Sequence, residues 1–375
     1  MTDGAGSFAS RLEAAWPKRG ALATALTPLA LVYRVLTGVR RWLYRVGIAK
    51  TESIDVPVLV VGNLIAGGAG KTPTVLACVA SLRARGYTPG VISRGYRPGA
   101  SSSGSSTVDS RPTADAPIEV TRESLASQVG DEPLLLRMRS SAPVFVSADR
   151  VAAARALRRA HPEVDVIVSD DGLQHLRLAR DAAVIVFDER GVGNGWLLPA
   201  GPLREPLPRR IPARTIVLYN ARAPSTPLDG TLASPSLLGA VSLEDWWSGA
   251  STATVPKLLA LRGRKLLAAA GVARPERFFS MLESLALDID RLPLPDHFAF
   301  PQGASAALSG AMPWPASAGD VLVTEKDAVK LPRQSPGATR IWVVALDFQP
   351  EPAFHEELRR LLPDRPSAPT NEPQD

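Results

Sequence analysis

Short, mostly apolar runs recur at residues 56–62, 90–92, 143–146, 164–168, 182–187 and 215–219. Runs this short, rich in Val, Ile and Leu, predict strands buried on both faces, as parallel sheets require. Between them, 73–85 and 149–160 read as helices, and another helix starts at Pro133 behind the acids Asp131 and Glu132. The rhythm breaks at 221–256, which is rich in Pro, Ser, Thr and Ala and reads as an interdomain connector with a short hairpin. It resumes with strands at 265–270, 321–323 and 341–346 and helices at 275–286 and 353–362. Strands alternating with helices imply an α/β fold with a mostly parallel sheet.

The first run leads into the chain's most informative stretch, VPVLVVGNLIAGGAGKT at 56–72. Strand, glycine loop, Lys-Thr and helix is the plan of a phosphate-binding P-loop. Glycines let backbone N–H groups turn inward around phosphate oxygens, and the helix N-terminus adds partial positive charge. The expected loop is Ile65, Ala66, Gly67, Gly68, Ala69, Gly70, Lys71 and Thr72. Lys71 would reach the terminal phosphates and the Thr72 hydroxyl would ligate Mg²⁺. The usual first glycine is Ile65 here. A plain strand-to-helix turn would explain the glycines but not the adjacent Lys-Thr.

Two further features suit that chemistry. The strand at 164–168 runs into Asp170-Asp171, the placement of an acid that holds Mg²⁺ directly or through water. Segment 191–210 is a long, proline-rich connection carrying Trp196 and Arg204, and Arg204 is a candidate phosphate clamp. The fold class is therefore α/β: a P-loop NTPase domain with a mostly parallel sheet, a smaller C-terminal α/β domain and an N-terminal amphipathic helix. The expected boundaries are 1–50 for the basic amphipathic segment, 51–222 for the P-loop domain, 223–256 for the linker, 257–362 for the smaller domain and 363–375 for a disordered tail.

Composition narrows the partners. The chain has 375 residues, 45% hydrophobic and 21% charged, enough for two domains with a large core. A net charge of +6 and a pI of about 9.7 suit an anionic partner. No aromatic-basic pattern points to nucleic acid. The single cysteine, Cys78, excludes an intrachain disulfide or a thiolate zinc cluster, and the four histidines are scattered. No acid lies between Ala14 and Thr51, where seven basic residues do. Within that segment Leu29, Val32, Leu36, Val39, Leu43 and Val46 recur at helical spacing from Pro28 onward. Two readings fit equally: a basic amphipathic helix on an anionic membrane surface, or a helix packed on the core with a solvated basic face. The run is too short to span a bilayer, which takes about 20 apolar residues.

In order along the chain stand VGNLIAGGAGKTP (61–73), SRGY (93–96), VGDEPLLL (129–136), DDGLQH (170–175), LPAGPLREP (198–206), PDHF (295–298) and TEKDAVKL (324–331). On these motifs, covering roughly residues 25–350, the chain resembles the tetraacyldisaccharide 4′-kinases of lipid A biosynthesis. The resemblance implies transfer of the γ-phosphate of ATP to the 4′-hydroxyl of tetraacyl disaccharide 1-phosphate, giving lipid IV-A. It implies Mg²⁺, a peripheral position on the cytoplasmic face of a Gram-negative inner membrane, no obligate protein partner, and two α/β domains joined by a two-stranded linker. It makes Asp131 the catalytic aspartate and His297 its partner, and ranks Lys71, Asp171 and Arg204 beside them. Thr72, Asp170 and Glu205 become the metal set, and Tyr96 and His175 contact nucleotide or substrate. The competing readings are a slow P-loop switch or metallochaperone-type NTPase and a non-enzymatic membrane-binding protein.

Overall fold

The computed structural model describes residues 12–95, 116–296, 298–301, 312–315, 317–335 and 338–362. The serine-rich stretch at 99–107, the tail at 363–375, Tyr96 and His297 lie outside these residues. The described strands are β1 (Val58–Gly62), β2 (Pro89–Ser93), β3 (Ile118–Val120), β4 (Val144–Val146), β5 (Val166–Asp170), β6 (Ala182–Asp188), β7 (Thr215–Asn220), β8 (Thr231–Ser242), β9 (Leu266–Ala270), β10 (Ile289–Pro293), β11 (Asp320–Thr324) and β12 (Arg340–Pro350). The longer helices are α1 (Thr27–Arg45), α2 (Lys71–Arg83), α3 (Asp131–Ser140), α4 (Arg150–Ala160), α5 (Pro275–Ser284) and α6 (Pro352–Leu361).

One sheet runs β10-β9-β11-β12-β8-β7-β6-β1-β5-β2-β4-β3, parallel except at β3–β4 and β8–β12. Every residue of β1, β5 and β6 is buried, as expected of unbroken apolar strands covered on both faces. Leu59 and Val61 of β1 pack with Val75, Val79 and Leu82 of α2, while Val58 and Val60 join Ala153, Ala154 and Leu157 of α4 in the other layer. Cys78 is fully buried in α2, and burial pushes its thiol up to about 12, so it is neutral core.

The strand order reverses at β1, which lies between β5 and β6. A crevice forms at the carboxyl ends of strands at such a switch point. The polar ends of five parallel strands gather there: Asn63 after β1, Ser93 on β2, Asp170 on β5, Asp188 on β6 and Asn220 on β7.

The connector departs from expectation. Instead of a local hairpin, β8 extends over 12 residues and pairs antiparallel with β12, from Ser242↔Trp342 to Ala233↔Pro350. Its contact with β7 is brief, Thr231↔Leu218 and Leu232↔Tyr219. This two-stranded ribbon carries the sheet from the P-loop half to the strands β9–β11.

The N-terminal helix also differs from one of its two readings. In α1 only Ala30 is buried. Leu29, Val32, Leu36 and Val39 are 50–65% exposed, as is Trp42 at 53%. A core-packed apolar face is therefore not what the chain builds; the apolar stripe faces outward. No described helix is long and apolar enough to cross a membrane.

Candidate active site

β1 ends at Gly62, and the loop that follows is held from outside. Ala66 N–H donates to the Pro202 carbonyl at 2.7 Å, Arg204 N–H donates to the Leu64 carbonyl at 2.7 Å, and Ile65 bridges Leu203. The Ile65 side chain is fully buried. Ile65 and Ala66 thus also anchor the loop: one side chain is core, and the other residue's N–H is held by Pro202. Ala69 is likewise buried. The residues left facing the crevice are Gly67, Gly68, Gly70, Lys71 and Thr72.

Gly70 caps α2 with φ +94°, and a Cβ there would lie 2.4 Å from Asn220 Nδ2. Only glycine suits this turn. Lys71 Nζ lies 3.3 Å from Asn63 Oδ1 and 3.8 Å from Asp171 Oδ1. Asn63 Nδ2 in turn donates to the Gly67 carbonyl at 2.9 Å, so one amide sets both loop and lysine. Arg190 lies over the loop, donating to the Gly68 carbonyl at 2.7 Å and pairing with buried Asp188 at 2.9 Å. Asn63, Asp188, Arg190 and Asn220 were not among the expected site residues. Their only sequence signal is a polar residue at or just past the end of an apolar run.

The two aspartates behave differently. Asp171 takes φ +48°, a conformation uncommon outside glycine, and its carboxylate accepts from Arg204 Nη1 at 2.9 and 3.1 Å. Asp170 is 2% exposed and accepts from Ser93 Oγ at 3.0 Å. Burial and the nearby Glu132 carboxylate push it up to about 7, against the pull of the Lys71 ammonium. Its Oδ1 is buried with no hydrogen-bond partner. An orphaned carboxylate oxygen at the end of a buried strand fits a hard divalent cation that draws its other ligands from a hydroxyl, phosphate oxygens and water. Among the described residues no group of three or more His, Cys, Asp or Glu could hold a metal unaided.

Two cavities flank this centre. One, of about 280 Å³, runs from Gly68, Gly70, Lys71 and Thr72 to Arg274, Arg277 and Phe278 at the start of α5, with an apolar wall including Leu76, Leu237 and Phe348. The other, of about 500 Å³, is strongly basic: Arg40, Arg94, Arg150 and Arg204 line it with Tyr33, Gln174 and His175. Burial and Arg150 push the His175 imidazole below its ordinary value, and its Nε2 is buried without a partner.

A sequence signature described as tetraacyldisaccharide-1-P 4′-kinase matches residues 22–363. The chain belongs to this kinase family. The tetraacyldisaccharide 4′-kinase of Leptothrix cholodnii is 52% identical over 371 residues, covering 97% of this chain and 99% of that one. The corresponding protein of Methylibium petroleiphilum is 52% identical over 353 residues, 92% of each chain. The structure of LpxK from Aquifex aeolicus in complex with ATP superposes with a TM-score of 0.69 at 22% identity, covering 91% of this chain and 99% of that one, and so shares the fold.

Of the residues singled out by likeness to these kinases, Asp131 opens α3 behind Gly130 (φ +97°) and accepts from the Glu132 N–H at 3.0 Å. Glu205 lies on the α1 side of its segment. Its carboxylate pairs with Arg41 of α1 at 3.1 Å and lines a separate cavity with Arg45 and Arg180. Residues 204 and 205 thus line different cavities. His297 and Tyr96, outside the described residues, receive no placement.

Two outcomes follow for the kinase. Asp170 has a folded-state pKa above its unfolded value of 3.8, so its ionisation opposes folding. The cost is absent below about pH 4, grows as pH rises through about 7, and is complete above that. Asp170→Asn therefore stabilises the ligand-free protein at pH 8, by on the order of 3 kcal/mol, and leaves it nearly unchanged at pH 4; thermal melts at both pH values check this. Gly70→Ala forces a Cβ against Asn220 and weakens nucleotide binding at least about 10-fold, read by titration calorimetry, for a strain of about 1–2 kcal/mol or more.

Proposed function

We propose that this kinase transfers the γ-phosphate of ATP to the 4′-hydroxyl of tetraacyl disaccharide 1-phosphate, giving lipid IV-A. The observation that carries the reading is the junction of two cavities at Lys71, Asp171 and Arg204: a phosphate loop on one side and a four-arginine chamber on the other. A nucleotide suits the first, with its base against the apolar wall. An acceptor that itself bears a phosphate suits the second, where arginine forks match phosphate oxygens.

Phosphoryl transfer is chiefly positioning and charge stabilisation. The N–H groups at Gly67–Thr72 orient the β- and γ-phosphates, and Lys71 neutralises charge on them. Thr72 and Asp170 would hold Mg²⁺, which supplies charge neutralisation on the phosphates when bound. Arg204, released in part from Asp171, stabilises the oxygens of the transferring group. The acceptor oxygen forms the new O–P bond as the bond from the γ-phosphorus to ADP breaks. Asp131 takes the hydroxyl proton, and His297 is its partner. His175, kept neutral by burial and Arg150, orients the acceptor as a hydrogen-bonding group.

The outward apolar stripe of α1, flanked by Arg34, Arg40, Arg41 and Arg45, supports a peripheral seat on an anionic membrane, the cytoplasmic face of the inner membrane being where such an acceptor is met.

The decisive assay supplies labelled ATP, Mg²⁺ and tetraacyl disaccharide 1-phosphate in detergent. Label enters the lipid; lipid-independent phosphate release alone would instead favour a switch NTPase. Lys71→Ala and Asp131→Asn each lower kcat/KM by about 10²–10⁴-fold. Near-normal turnover in Asp131→Asn would remove it as the base. For the membrane seat, Leu36→Glu with Val39→Glu abolishes co-sedimentation with vesicles containing anionic lipid while leaving turnover of detergent-dispersed substrate within about 3-fold.

A further inference from the structure

Across the crevice from Asp131 stands a cation that the mechanism above does not use. Lys326 occupies the short helix Glu325–Ala328, which opens directly after β11. Its neighbours on both sides are fixed by buried polar contacts. Asp327 is fully buried and receives the Thr324 hydroxyl at 2.8 Å, Gly271 N–H at 2.9 Å and Lys330 Nζ at 2.7 Å. Glu325 is also buried; it pairs with Arg139 of α3 and accepts from Trp246 Nε1 at 3.3 Å and Leu346 N–H at 3.2 Å. With both flanking side chains held, the backbone at 326 has little freedom and the direction of its side chain is set.

That direction places Lys326 Nζ 3.4 Å from Glu132 Oε1 and 3.4 Å from Asp296 Oδ1. Glu132 belongs to the first turn of α3, beside Asp131; Asp296 lies in the segment that follows β10. The ammonium is half-enclosed, yet its pKa is raised: burial opposes the charge, and Glu132, Asp131 and Asp296 together outweigh it. Two carboxylates thus meet one ammonium, and one of them, Glu132, adjoins the proposed base at the start of α3. The other charges packed around this cluster are the Arg139–Glu325 pair behind it and Asp170 with Lys71 toward the phosphate loop, the Glu132 carboxylate acting on Asp170.

We propose that Lys326 is a positioning residue for phosphoryl transfer, its ammonium tying the Asp131–Glu132 start of α3 to the Asp296 wall so that Asp131 is held facing the acceptor. This rests on the reading of Asp131 as the proton acceptor. Without the ammonium, Glu132 and Asp296 repel one another and Asp131, the helix start loses its tie across the crevice, and Asp131 holds its proton to higher pH. Arginine, with a guanidinium able to meet two carboxylates, keeps the tie. Loss of the cation at contact distance is worth about one pKa unit or more on a neighbouring carboxylate.

The test measures lipid phosphorylation by Lys326→Met, Lys326→Arg, Asp131→Asn and Lys326→Met/Glu132→Gln across pH. The expected result is a fall in kcat of at least about 10-fold in Lys326→Met, with the acid limb of its pH profile moved upward by about one unit. Lys326→Arg restores most of the rate. Removing one repelling carboxylate in the double variant moves the acid limb back toward the wild-type position, a response that a merely unfolded or loosened protein does not give. An unshifted acid limb in a folded Lys326→Met, or a rate that Arg does not restore, overturns the proposal. Asp131→Asn separates the two readings. Full turnover there removes the base assignment itself, whereas loss there with a normal rate and profile in Lys326→Met removes only the role of Lys326.

Discussion

The structure depends on backbone pairing between residues 64–66 and 202–204. A phosphate loop with glycine at its first position can fold on itself. Here Ile65 fills that position, and its side chain goes into the core beside Leu203. The loop takes its shape from the segment PAGPLRE instead, through Ala66 to Pro202 and Arg204 to Leu64. The pairing has a chemical consequence. By fixing the backbone of Arg204 against the phosphate loop, it delivers the guanidinium to Asp171, whose other side faces Lys71. Loop shape and charge placement are one constraint.

The same segment carries the N-terminal region. Trp16 Nε1 donates to the Pro199 carbonyl at 3.1 Å, Arg19 Nε to the Asn194 carbonyl at 3.0 Å, and Tyr33 Oη to the Arg204 carbonyl at 3.0 Å; Arg41 pairs with Glu205. So α1 rests on the strap that shapes the phosphate loop, with its apolar stripe turned away from it. Glu205 makes sense in this light. Its neighbour in sequence points at Asp171, and Glu205 points at the helix, giving that helix a fixed seat. An adjacent Arg-Glu pair reads as one functional unit in a sequence, but here its members turn to different partners, Asp171 and Arg41.

That contrast marks what could be read from the chain. The apolar runs at 56–62, 164–168 and 182–187 announced the central strands because burial on both faces favours apolar residues along them, with polar ones gathered at their carboxyl ends. Gly70-Lys71-Thr72 announced the phosphate loop because no simple turn needs that lysine. The resemblance implied a two-stranded linker, but the pairing of β8 with β12 that forms the ribbon was hidden. Its partners lie more than a hundred residues apart, and β8 carries Ser, Pro and Gly where a buried strand would carry Val. Asn63, Asp188 and Asn220 were hidden for another reason: each is an ordinary polar residue at a strand end, and only the strand order brings them around one loop. The apolar face of α1 was legible as a face, but not which way it turned. Periodicity defines a stripe, and only packing decides what covers it.

The charge distribution of the crevice now has a physical logic. Asp171 is held between the Lys71 ammonium and the Arg204 guanidinium. Asp170 lacks such partners; burial and Glu132 keep its proton on until near neutral pH. Glu132 is itself drawn by Lys326 toward the opposite wall. An arriving nucleotide brings several negative charges into this balance, and Lys71 cannot serve both those charges and two aspartates. Asp170, whose orphaned oxygen lacks a partner, is where a divalent cation would relieve the conflict. Binding of the proposed metal–nucleotide pair therefore favours the ionised form of Asp170. The aspartate that costs the empty protein stability is then the one that makes the loaded crevice electrostatically coherent.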